Sequence, residues 1–86
     1  MRAFRVSVTS TPQLVVAVDD VPRPVWVQIL GNNTVYLGGA DVSDTTGFPI
    51  VKHSAPLEGG IPPGESLYCC TADGVTETLC VILQDA

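Results

Sequence analysis

Long apolar runs are missing from this sequence. Nowhere do apolar residues continue for the roughly 20 positions that a membrane-spanning helix requires, and the opening "MRAFRVSVTS" lacks the apolar segment of a secretory signal. No membrane partner is expected, and the chain reads as one made in the cytoplasm. Basic charge is scarce as well: Arg2, Arg5, Arg23 and Lys52 stand against nine acidic residues, for a net charge of −5. The four are scattered, whereas binding a polyanion needs a clustered footprint that neutralises several phosphates. Nucleic acid is therefore excluded as a partner. Cysteine occurs three times, at Cys69, Cys70 and Cys80. An odd count closes no disulfide framework, so in a reducing compartment these read as small buried hydrophobes. The single histidine, His53, sits in "KHSAP", which forms neither a nucleophile elbow nor an oxyanion motif. It reads as a surface histidine.

Helical periodicity is also lacking. Valine, isoleucine, threonine and aromatics recur instead in short runs punctuated by Gly, Pro, Asn and Asp, the pattern of many short strands. "AFRVSVT" alternates Phe4, Val6 and Val8 against Arg5 and Ser7, so residues 1–10 hold an edge strand or arm. "QLVVAVD" is more continuously apolar and suits burial on both sides, by the core or by a neighbouring subunit. Val21-Pro22-Arg23-Pro24 implies an extended connection outside any ladder. "VWVQILG" places Val25, Val27 and Ile29 on one face and Trp26, Gln28 and Leu30 on the other; with both faces largely apolar it is a central strand. Gly31-Asn32-Asn33 followed by "TVYLG" reads as a β-hairpin. "FPIVK" is a short strand, and Leu57 to Glu65 is turn chemistry. "SLYCCTA", the turn at Asp73-Gly74 and "VTETLCVIL" form a second hairpin, with Val75, Leu79, Val81 and Leu83 on one side interrupted by Glu77. The expectation is a single all-β domain over residues 1–86, a small antiparallel β-sandwich or barrel of about six to seven short strands.

The chemical candidates are thin. "SDTTGFP" suggests the Asp-Thr-Gly loop of small dimeric aspartic proteases, but an extra threonine intrudes and no apolar strand feeds into Asp44. A side-chain-capped turn explains the stretch better. Asp41 and Asp44 are too few for calcium, which takes six to eight oxygens, unless Asp19 or Asp20 joins them. Zinc is excluded because no C-x-x-C spacing exists and adjacent cysteines in a strand point to opposite faces. No metal, cofactor or catalytic residue is expected. Trp26, Tyr36 and Tyr68 are the aromatics able to stack on a sugar, though core or interface is their commoner use. The glycines and prolines Gly38, Gly39, Gly47, Pro49, Pro63 and Gly64 read as shaping a crossover between strands or sheets.

Taken together, a strand followed by "VYLGGADVSDTTGFPI" and a Pro-Gly-Glu turn in "IPPGESLYCCTADG" resembles a pattern in small β domains of tailed-bacteriophage virions, of the capsid decoration, head-fibre and tail-associated types. The likeness runs from about Val25 to Leu83, with "VKHSAPLEGGI" as an insertion that is a candidate interaction loop. It implies a non-enzymatic virion structural protein, foremost a capsid decoration or cementing protein that contacts the major capsid protein or other virion proteins and forms a homo-oligomer, such as a trimer. A tail or head-tail completion component is the alternative within that class, and a carbohydrate-binding β module for host surfaces the alternative outside it. Apolar side chains in the leading strands exceed what one small core encloses, which nominates Phe4, Val6, Leu14, Val16 and Trp26 as interface residues.

Overall fold

The computed structural model describes residues 2–51 and 56–84. Lys52, His53, most of the proposed interaction loop's first half, and the terminal Asp85-Ala86 lie outside the described residues. Eight strands follow one another: β1 (Arg2–Val8), β2 (Gln13–Val16), β3 (Arg23–Ile29), β4 (Val35–Gly38), β5 (Phe48–Ile50), β6 (Leu57–Ile61), β7 (Leu67–Cys70) and β8 (Glu77–Leu83). They form two four-stranded antiparallel sheets, β1-β8-β3-β6 and β2-β7-β4-β5. Packed face to face, this is a β-sandwich with jelly-roll strand order. The all-β expectation holds, with a sandwich rather than a barrel and eight strands rather than six or seven.

The period of two dictates what each sheet buries. Across the inner face of the first sheet, the register sets Phe4 beside Val81, Val81 beside Val27, and Val27 beside Leu57. Val8, Val25, Ile29, Ile61, Leu79 and Leu83 share that side and meet Val15, Val16, Val35, Leu37, Ile50 and Cys69 from the second sheet. β-Branched side chains dominate because they fill a pleated surface at low entropic cost. Each fully buried Val, Leu or Ile contributes on the order of 1.5–3 kcal/mol relative to exposure.

Both expected hairpins are corrected. β3 and β4 lie in different sheets, and so do β7 and β8. Gly31-Asn32-Asn33 and Asp73-Gly74 are arches that carry the chain from one sheet to the other. The turn chemistry is nonetheless present at the second arch: Val75 N donates to Ala72 O at 3.1 Å, and Gly74 has φ 77°, the left-handed region that glycine enters without a Cβ penalty. Within the described strands the in-sheet reversal is β4 to β5, so the stretch between them is a hairpin loop and no crossover between sheets.

Two further expectations change. Leu57–Ile61 is a strand, β6, and not turn throughout; it pairs with β3 along Arg23↔Ile61, Pro24↔Gly60 and Val25↔Gly59. The same pairs show that Arg23 and Pro24 belong to the ladder. Pro24 lacks an N–H, but its carbonyl still accepts from Gln84 N at 3.0 Å. β1 stands at one end of its sheet, paired along its whole length with β8.

Candidate functional site

β2 is irregular, and that irregularity builds the first candidate surface. Its register slips between Leu14 and Val16, so Val15 and Val16 both enter the core, 7% and 3% exposed, while Leu14 turns outward at 49%. The chain then leaves the sheet with Val18 at 63% and Val21 at 37% exposed. Leu14 and Val18, together with Phe4 of β1, border a groove of about 510 Å³ in which Arg2, Asp19 and Arg23 also take part. Arg2 sits over the Phe4 ring, 5.8 Å from its centroid, a cation–π arrangement. One wall is held rigidly. The buried Arg23 guanidinium donates to Ala17 O at 2.5 Å and Glu65 O at 3.2 Å, and Gly64 N donates to Asp19 O at 2.7 Å. These bonds tie the β2–β3 connection to the β6–β7 turn. Among the described residues Arg23 Nε is buried with no hydrogen-bond partner.

The five nominated interface residues therefore do not form one patch. Phe4 and Leu14 meet in the groove. Val6 is half-buried against the core, Val16 is enclosed in it, and Trp26 lies on the outer face of the first sheet. There Trp26 Nε1 donates to Glu58 Oε2 at 3.1 Å, which fixes the indole beside a second groove of about 360 Å³. Of the other aromatics, Tyr36 and Tyr68 are half-buried on the second sheet. They do not join Trp26, so the three-ring sugar platform is not assembled.

The loop from Gly39 to Gly47 folds back over the outer face of the second sheet. Val42, 5% exposed, is its anchor. It rests over Gly38, where an added Cβ would come within 2.9 Å of Val42 Cγ2, and its carbonyl accepts from Cys70 Sγ at 3.6 Å. Ser43 then caps the turn. Its Oγ contacts Thr45 Oγ1 at 3.0 Å and Thr46 Oγ1 at 2.9 Å and accepts from the amides of Thr45 and Thr46, while Gly47 N donates to Ser43 O at 2.9 Å. This is the capped turn expected for "SDTTG". Gly47 is required by space: a Cβ there would meet Tyr36 Cβ at 2.6 Å, Val42 Cγ2 at 2.8 Å and Ser43 O at 2.9 Å. Gly39 has neither a positive φ nor a close neighbour, so its expected shaping role is corrected. Gly64 with φ 82° follows Pro63 in a turn closed by Glu65 N to Pro62 O at 3.3 Å, and Pro49 sits on the edge strand β5, where a missing donor is tolerated.

Cys69 points into the core and Cys70 lies beneath the loop, so the adjacent thiols do face opposite ways. Burial, reinforced by Cys70, pushes the Cys69 thiol up to about 12; burial, then the Asp44 charge, raises Cys70. Among the described residues no three His, Cys, Asp or Glu side chains gather as a metal site.

Sequence reasoning missed two polar residues. Glu77 was visible only as a break in an apolar face. It occupies the inner side of β8 and accepts the amides of Thr78 at 2.8 Å, Asn33 at 2.8 Å and Gly31 at 3.0 Å. It thereby clamps the β3–β4 arch to the last strand. Burial alone raises its carboxyl, but the amides of Thr78, Asn33 and Gly31 outweigh that and hold it below the usual carboxylate range. Arg23 looked like one scattered cation among four; its flanking prolines gave no hint of burial.

The fold and these surfaces define a small jelly-roll sandwich with a weakly charged, partly apolar edge. No family model matches the chain, and neither a curated protein nor a solved structure matches it significantly.

Proposed function

We propose that this protein is a structural component of a tailed-bacteriophage virion, a small decoration or cementing protein that binds the major capsid protein and associates with copies of itself, as a trimer. The observation that carries the reading is the pair Leu14 and Val18, large apolar groups left in water, lining one groove with Phe4 along an edge of the sandwich. Exposed apolar groups gathered in one place are what an interface supplies. The jelly roll is a recurrent architecture of viral shell proteins, and also of lectin domains, so this support is by analogy of fold. The low charge and the phage-like turn pattern point the same way. Many copies, each burying a modest apolar strip, stabilise a shell because multivalent attachment sums small terms.

The test joins assembly to copy number. Sedimentation of the purified chain is expected to show a homo-oligomer that a Leu14→Glu/Val18→Glu variant dissociates with its strand content intact. Quantitative mass spectrometry of particles carrying the protein should count hundreds of copies. A few copies per particle instead mark a tail or head-tail component, and a monomer indifferent to the double variant and absent from particles overturns the proposal.

A further inference from the structure

We propose that the outer face of the first sheet holds a binding site for an acidic saccharide, a sugar ring bearing a carboxylate, seated over Cys80 between Arg5 and Gln28 and against the indole of Trp26. The register builds it. Arg5 pairs with Cys80 and Cys80 with Gln28, one transverse row across β1, β8 and β3. Strands lie about 4.8 Å apart, so the Arg5 and Gln28 backbones stand roughly 10 Å from each other, room for one ring with a hydrogen-bonding partner on each side. Cys80 is the small residue of the row and forms the floor. The next row, Ala3, Ile82 and Trp26, raises an apolar wall, and Pro56 borders the groove on the β6 side. Its volume of about 360 Å³ lies within the usual range for small-ligand sites.

Charge selects the ligand class. Arg5 is exposed, and its side chain makes no ion pair or hydrogen bond among the described residues. The other described cations are engaged, Arg2 over Phe4 and Arg23 on buried carbonyls. Arg5 is thus a free guanidinium at the side of an aromatic-walled groove in a chain of net charge −5. A guanidinium matches a carboxylate in bidentate geometry, and the fixed indole offers a flat apolar surface to the carbon face of a ring. Gln28 supplies both a donor and an acceptor for hydroxyls. The Glu58 carboxylate already holds the indole N–H and lies beyond it, at the β6 edge. One cation is too little for a polyphosphate, and the amide opposite it disfavours a simple fatty acid.

This site shares only strand β1 with the proposed assembly edge and stands or falls separately from it. The experiment titrates the full chain with glucuronate, galacturonate and N-acetylneuraminate, with glucose as the neutral control. Two readouts report the groove: the emission of the chain's single tryptophan, and the rate at which iodoacetamide alkylates Cys80, the one thiol not buried. An acidic sugar is expected to shift the emission saturably and slow alkylation, and glucose to do neither. Arg5→Gln should weaken binding at least about tenfold with an unchanged melting midpoint. An equal response to glucose, no saturable response to any acidic sugar, or undiminished binding by Arg5→Gln overturns the proposal; in the last case Arg5 merely keeps an edge strand from pairing. Cys80 protection that grows with protein concentration in the absence of sugar also overturns it, since a second copy then covers the face.

Discussion

Glu77 is the residue on which local order at one end of the sandwich turns. Three backbone amides converge on a carboxylate enclosed by the apolar side of β8, and the folded chain holds that group below the usual range. A carboxyl depressed on folding stabilises the native state above its unfolded value near 4.3. That contribution disappears as pH falls through the lower folded value. Stability measured by denaturant titration should therefore decline as the solution is acidified below about pH 4 to 5, and Glu77→Gln should flatten that decline while costing about 1 to 2 kcal/mol at neutral pH. Glycines give a second residue-level test. Gly47→Ala forces a methyl against Tyr36, Val42 and a backbone carbonyl and should destabilise by about 1 to 3 kcal/mol, whereas Gly39→Ala should stay within about 0.5 kcal/mol. From sequence the two looked alike. A turn-rich string shows that a small residue is present, but whether space or conformation demands it depends on what folds over it, here Tyr36 and Val42.

At the scale of elements, strand identity was readable wherever one side chain in two was apolar, as in β1, β3 and β8. Partners were not. Gly31-Asn32-Asn33 and Asp73-Gly74 carry the chemistry of a reversal, and a reversal serves equally to close a hairpin or to arch across to the opposing sheet. The choice is made by distant packing: β8 lies between β1 and β3, and β7 between β2 and β4. β6 escaped notice because Glu58, Gly59 and Gly60 have little strand propensity; pairing with β3 imposes the conformation. The apolar strip at β2 was legible in part, since "QLVVAVD" shows surplus hydrophobes, yet only the slip after Leu14 decides that Leu14 faces water and Val16 does not. The Gly39–Gly47 loop makes a prediction at this scale. It shields Cys70, so in the folded chain a thiol reagent should modify Cys80 first, leaving Cys69 and Cys70 until unfolding. Val42→Ala should accelerate Cys70 modification selectively, and equal acceleration at Cys69 would show that the loop is no separate cover.

For the whole molecule, strand order makes the two ends of the sequence interdependent. Among the described strands β1 pairs only with β8, which is itself central to its sheet. Removing Arg2–Val8 should therefore expose a long apolar edge and produce aggregation or loss of cooperative unfolding, read by light scattering and circular dichroism. A truncated chain that still melts cooperatively at the same temperature would mean that β1 is a detachable arm. Six of the seven connections between the described strands pass from one sheet to the other, so pairings distant in sequence must form together and folding should be slow, in the millisecond-to-second range for such topologies.

The antiparallel register also sets Arg2 directly opposite Leu83. A load drawn across those two positions meets the β1–β8 ladder at its open end and peels it rung by rung, like a zip. Tension applied instead through the length of the sheet must shear all the rungs together. The same sandwich is therefore soft to pulling at that corner and stiff to stretching along its strands, and the direction in which it is tethered governs how much strain it withstands.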